Sequence, residues 1–152
     1  MRYSLVFTMA IFLLCACKKD KFTTAPQIKF KSISPDNVTS GTFSADPVLT
    51  ISVTDAEGDL GITLKDTAFI YIKSLLTNDS DSIAFPDLQV AAKSNFKADV
   101  DISISSRVLK CKSLPSGALH TDIVYFEVYI KDFAKNKSNV IKSDQPLYYT
   151  CR

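Results

Sequence analysis

Apolar and polar residues alternate with a period of two along most of this chain. Ile28 and Phe30 alternate with Lys29 and Lys31, Leu49, Ile51 and Val53 with Thr50, Ser52 and Thr54, and Val100, Ile102 and Ile104 with Asp101, Ser103 and Ser105. Val124, Phe126, Val128 and Ile130 make the longest stripe. Ala68 to Leu76 is a β-branched and aromatic run, and Asn139 to Lys142 and Leu147 to Cys151 close the chain. Successive side chains on a strand point to opposite faces, so each alternation predicts a strand with one buried face. Pro, Gly, Asn and Asp interrupt these runs every 8 to 15 residues or so. Only Asp87 to Ser94 leaves room for a turn of helix. The pattern predicts an all-β fold of about seven strands, in two antiparallel sheets packed face to face.

The N-terminal stretch departs from this period. Arg2 is followed by an apolar run from Leu5 to Leu14, and charge arrives at Lys18-Lys19-Asp20-Lys21. A spanning helix needs about 20 apolar residues, and this run has the length of a signal-peptide core, so residues 1 to 16 read as an export signal. Leu14-Cys15-Ala16-Cys17 resembles the lipobox of bacterial lipoproteins. The resemblance implies cleavage before Cys17, palmitate-type acylation of Cys17 and anchoring in a membrane. Several acyl chains, each methylene worth about 0.8 kcal/mol, hold a protein there almost irreversibly. Lys18 stands where an aspartate would signal retention at the inner membrane, so the resemblance implies the outer membrane, on either its periplasmic or its surface face. The other reading is an ordinary secretory peptide cut near Ala16.

Removing residues 1 to 16 from the 152 leaves 136 and takes away Arg2, so the net charge falls from +2 to +1. That is one domain's length, and 46% apolar residues supply a core rather than a disordered chain. A near-neutral chain without a basic block gives no electrostatic case for nucleic acid. Residues 17 to 25 carry no apolar period and read as a flexible tether, with the β-sandwich spanning 26 to 152. With Cys15 discarded and Cys17 lipidated, Cys111 and Cys151 remain as an even pair in an oxidising compartment, which predicts a disulfide; the alternative is two unpaired thiols.

Two turns carry a second resemblance. Asp55-Ala56-Glu57-Gly58-Asp59-Leu60-Gly61 and Asp132-Phe133-Ala134-Lys135-Asn136-Lys137-Ser138-Asn139 resemble the corresponding turns of bacterial Ig-like and cadherin-like domains, which implies an Ig-like sandwich. Lys135 stands where that turn often has glycine.

Period-two arithmetic adds a candidate site. Asp55 continues the core-facing row of Leu49, Ile51 and Val53, and Asp132 continues that of Val124 to Ile130. In an Ig-type order these strands run in the same direction on opposite sheets, so both carboxylates reach one end. A buried carboxylate is costly unless a cation or hydrogen-bond donors meet it. Asp55, Glu57, Asp59, Asp132 and Asn136 offer the hard oxygens that calcium takes. Counted from Asp55 as position 1, glycine and acid fall out of register for an EF-hand. The other reading has Asp55 and Asp132 capping turns through backbone N–H groups, with Glu57 and Asp59 solvated.

No residue set marks a reaction: His120 is the only histidine and reads as a turn residue, and no nucleophile elbow is present. The functional expectation is a non-enzymatic, lipid-anchored binding or accessory module of the cell envelope, with an envelope protein or glycan as partner. Tyr71, Tyr125, Tyr129, Tyr148 and Tyr149 offer aromatic faces to a sugar in the second case, and sheet packing is the plainer account of them.

Overall fold

In a computed structural model, residues 22–41, 46–87, 94–112 and 119–151 are described. Among them are ten strand segments and no helix. They are β1 (Gln27–Ser34), β2 (Asn37–Thr39), β3 (Val48–Asp55), β4 (Phe69–Ser74), β5 (Ser80–Ala84), β6 (Phe96–Ser103), β7 (His120–Val124), β8 (Phe126–Lys131), β9 (Ile141–Lys142) and β10 (Leu147–Cys151). The signal segment, Cys17 and residues 88 to 93 lie outside the described residues.

One layer has the order β1-β3-β6, all antiparallel. The other is built from β5-β4-β8-β9 and β2-β10-β7, in which β2 alone runs parallel to its partner. Ile28, Leu49, Ile51, Val53, Val100 and Ile102 from the first layer meet Ile70, Ile72, Phe126, Val128, Ile130 and Leu147 from the second in a single buried cluster. Each such side chain gains about 1.5 to 3 kcal/mol from leaving water, which is why the alternating pattern dictates a β-sandwich.

Ten segments replace the seven expected, for local reasons. The stripe from Val124 to Ile130 is two strands, because the chain breaks at Tyr125 between β7, paired with β10, and β8, paired with β4. Parity survives the break, since Val124, Phe126, Val128 and Ile130 are all buried. Ser143 holds the crossing: its N–H donates to the Phe126 carbonyl at 2.9 Å and its hydroxyl accepts the Phe126 N–H at 3.1 Å. In β1 the register slips between Phe30 and Ser32, a bulge at Lys31 that turns Ile33 as well as Ile28 into the core. The short β2 and the polar edge strand β5 carry almost no apolar signal. His120 opens β7 opposite Cys151 rather than sitting in a turn, with its Nε2 at 3.3 Å from Asp122 Oδ2.

Cys111 and Cys151 form a disulfide, with Cα atoms 5.8 Å apart. It ties the last residue of β10 to the segment that follows β6. Asn139 closes another gap: its side-chain carbonyl accepts the Ile28 N–H at 2.8 Å and its amide donates to the Ile28 carbonyl at 2.9 Å. One side chain thus serves as the missing strand partner for β1, on the layer opposite its own.

Candidate functional site

β3 delivers Asp55 as its last residue, and β8 is followed directly by Asp132; both are fully buried. The two sheets therefore each send a carboxylate to one end of the sandwich. The turn after β3 folds back so that Asp59 joins them, and carboxylate oxygens of Asp55, Asp59 and Asp132 lie within 4.8 Å of one another. Glu57 is exposed and stands outside this group. Asn136 takes part through its backbone, its N–H donating to Asp132 Oδ1 at 2.8 Å.

Backbone donors account for half of each buried carboxylate. Gly58 N–H donates to Asp55 Oδ2 at 2.6 Å, with Gly58 at φ +67°, a left-handed conformation natural to glycine. The Asn136 N–H does the same for Asp132. The remaining oxygens, Asp55 Oδ1, Asp59 Oδ1 and Asp132 Oδ2, are buried and have no hydrogen-bond partner among the described residues. Turn capping and an open oxygen cluster thus coexist in the same side chains, on different oxygens.

Further hydrogen bonds lock the surroundings. Phe133 N–H donates to the Asp59 carbonyl at 3.1 Å and joins the two turns. Ala56 N–H donates to the Thr23 carbonyl at 3.1 Å, and Asn95 N–H to the Ala56 carbonyl at 2.8 Å. Chain that precedes β1, within the stretch that reads as tether from sequence, therefore docks on the acidic turn.

Lys135 has φ +68°, so a β-carbon is held where glycine is at ease. Its N–H donates to the Asp132 carbonyl at 3.1 Å, which keeps the turn closed despite that cost. Lys135→Gly removes the strain, on the order of 1 to 2 kcal/mol, against an added unfolded-chain entropy of about 0.5 to 1 kcal/mol. The variant is expected to be up to about 1 kcal/mol more stable in urea unfolding, and Lys135→Val less stable than the natural chain.

Burial pushes the Asp55 carboxyl up from 3.8 to about 6; the Gly58 N–H opposes this, and the charges of Asp59 and Glu57 add to it. Burial also raises Asp132, against the Asn136 hydrogen bonds and with Asp59 and Glu57 adding. A carboxyl that holds its proton more tightly when folded than when unfolded destabilises the ionised fold above its folded pKa. The penalty fades as pH falls through that value and is gone below the unfolded one. In chelator the thermal midpoint of the natural chain is thus expected to lie below that of Asp55→Asn at about pH 7, with the gap closing toward about pH 4.

A second feature lies on the outer face of β4, β5 and β8. Tyr71 and Tyr129 stack with centroids 4.6 Å apart and planes 7° from parallel. Lys137 Nζ lies 4.2 Å from the Tyr129 ring and Lys131 Nζ 5.6 Å from Tyr71. The rings open on a cleft of about 510 Å³ whose polar lining includes Ser80, Asp81, Ser82, Glu127 and Lys137. The five tyrosines do not form one platform. Tyr149 is buried in the core, its neighbour Tyr148 is exposed, and Tyr125 sits under Lys142 at the strand break.

His120, Asp122 and Cys151 also bring ligand-type atoms within 4.8 Å, but the Cys151 sulfur is bonded to Cys111 and offers no thiolate. Neither a scan of protein-family models nor searches of curated proteins and of solved structures finds a match to this chain.

Proposed function

We propose that this chain is a lipid-anchored module of the cell envelope, held at the outer membrane through Cys17, that works by binding rather than by catalysis. The Cys111–Cys151 disulfide is the observation that carries this reading. Disulfides persist in oxidising compartments, in keeping with export by the Leu5 to Leu14 run. The pairing also uses up the two cysteines of the folded domain, so Cys17 is the one left, after loss of Cys15, for the acylation that the lipobox resemblance implies. Docking of Thr23 on the acidic turn supports a short link between membrane and domain.

A glycan partner is favoured by the cleft beside Tyr71 and Tyr129. Its volume falls within the roughly 300 to 1,000 Å³ of small-molecule sites, and carboxylates and hydroxyls beside aromatic rings suit a polyol.

Growth of cells with alkyne-palmitate tests the anchor. The natural chain is expected to take up label and pellet with membranes, and Cys17→Ala to do neither; equal labelling of both would overturn the assignment. On a glycan array, Tyr129→Ala is expected to lose binding that the natural chain shows, and unchanged binding would remove the cleft from the account.

A further inference from the structure

The geometry points to a calcium site formed by Asp55, Asp59 and Asp132 where the ends of β3 and β8 meet. Three carboxylates converge in a region where two of them are fully buried, and each keeps one buried oxygen without a partner. Among the described residues no lysine, arginine or histidine pairs with any of the three. Such a cluster is costly as it stands, because desolvated like charges repel and lose the water that would otherwise satisfy them. A cation removes both costs together.

The donor set selects the ion. All three ligands are carboxylate oxygens, which suits a hard cation; imidazole and thiolate, which softer metals prefer, are absent from the cluster. Calcium binds oxygen at about 2.3 to 2.6 Å, so two oxygens on opposite sides of it lie up to about 5.2 Å apart. Magnesium at about 2.0 to 2.1 Å would need them within about 4.2 Å and holds its octahedron rigidly. The oxygens here lie within 4.8 Å of one another, close enough to share one ion, and three carboxylates in a largely buried cluster suit calcium, whereas magnesium usually keeps several waters and only one or two carboxylates. The Gly58 and Asn136 N–H bonds hold Asp55 and Asp132 by their second oxygens and so orient the open ones beforehand.

Bound there, calcium would pin one sheet to the other through their carboxylates. The turn it holds also receives Phe133 N–H and supplies Ala56 N–H to Thr23. The ion would thus stiffen the end at which the chain leading to β1 joins the domain. This inference does not rest on lipidation or on any glycan partner.

The test is thermal unfolding of the full chain in detergent, in chelator and then in millimolar calcium. Calcium is expected to raise the midpoint by roughly 5 to 10 °C with saturation in the micromolar to millimolar range, and magnesium by far less. Asp59→Asn, in which the half-buried member is changed, is expected to fold and to melt in chelator at or above the natural chain, while losing most of the calcium shift. Asp66→Asn, an exposed control, should keep all of it. No shift up to saturating calcium, an equal shift from magnesium, or a full shift in Asp59→Asn would each overturn the assignment.

Discussion

Reduction of the Cys111–Cys151 bridge, or its replacement by paired alanines, lowers stability by about 4 kcal/mol. The bridge closes a loop with a sequence separation of 40 residues, and closing a loop of that length removes about 4 kcal/mol of chain entropy from the unfolded state. Position matters as much as length. β10 lies between β2 and β7 and supplies Leu147 and Tyr149 to the core, so freeing its last residue exposes a strand on which two others depend. A domain of this size has only about 5 to 15 kcal/mol in all, so the loss is a large fraction of the total. Urea unfolding with and without reductant measures it. A midpoint that stays in place would show that the bridge does not constrain the unfolded chain.

Phe126→Ala is expected to cost about 3 to 5 kcal/mol, enough to leave much of the chain unfolded at moderate temperature. Phe126 is fully buried, among the largest side chains so placed, and stands where β7 gives way to β8. Removing the ring opens a cavity between two layers held in place by Ser143 on one side and the β4 ladder on the other, so the site has little freedom to collapse. Leu64→Ala is the contrast. Leu64 is 106% exposed in a surface turn and its truncation is expected to change stability by less than about 0.5 kcal/mol. Comparable losses at both positions would contradict the core assigned here.

The contrast also shows what alternation conveys. β3, β6 and β10, each with one buried face, are legible because their apolar residues fall on alternate positions. The run of β4 is legible from its β-branched and aromatic content. β2 and β5 are not, since a three-residue parallel partner and a polar edge strand need no apolar face. The bulge at Lys31 hides as well, because one extra residue shifts Ile33 out of the phase that Ile28 sets. The break at Tyr125 leaves no trace in the pattern, because parity carries through it.

The candidate site divides in the same way. The burial of Asp55 and Asp132 follows from period two, whereas their arrival at one end depends on strand order and direction, which residue spacing alone does not determine. Placing Asp59 inward and Glu57 outward depends on the left-handed turn at Gly58, which residue spacing does not determine. Asn139 as a surrogate partner for Ile28 is hidden in the sequence; a side-chain amide near a strand end is its only signal, and such residues are common. The backbone at Lys135 keeps a left-handed conformation that glycine would favour, which a lysine at that position does not signal.

Anomalous diffraction from crystals of the chain grown in millimolar calcium locates any ion held between the two sheets. One strong peak is expected, bounded by Asp55, Asp59 and Asp132, with carboxylate oxygens at about 2.3 to 2.6 Å and both sheets contributing a ligand. A cluster that under those conditions holds only water or a proton shared between carboxylates, without an anomalous signal, would contradict the calcium site.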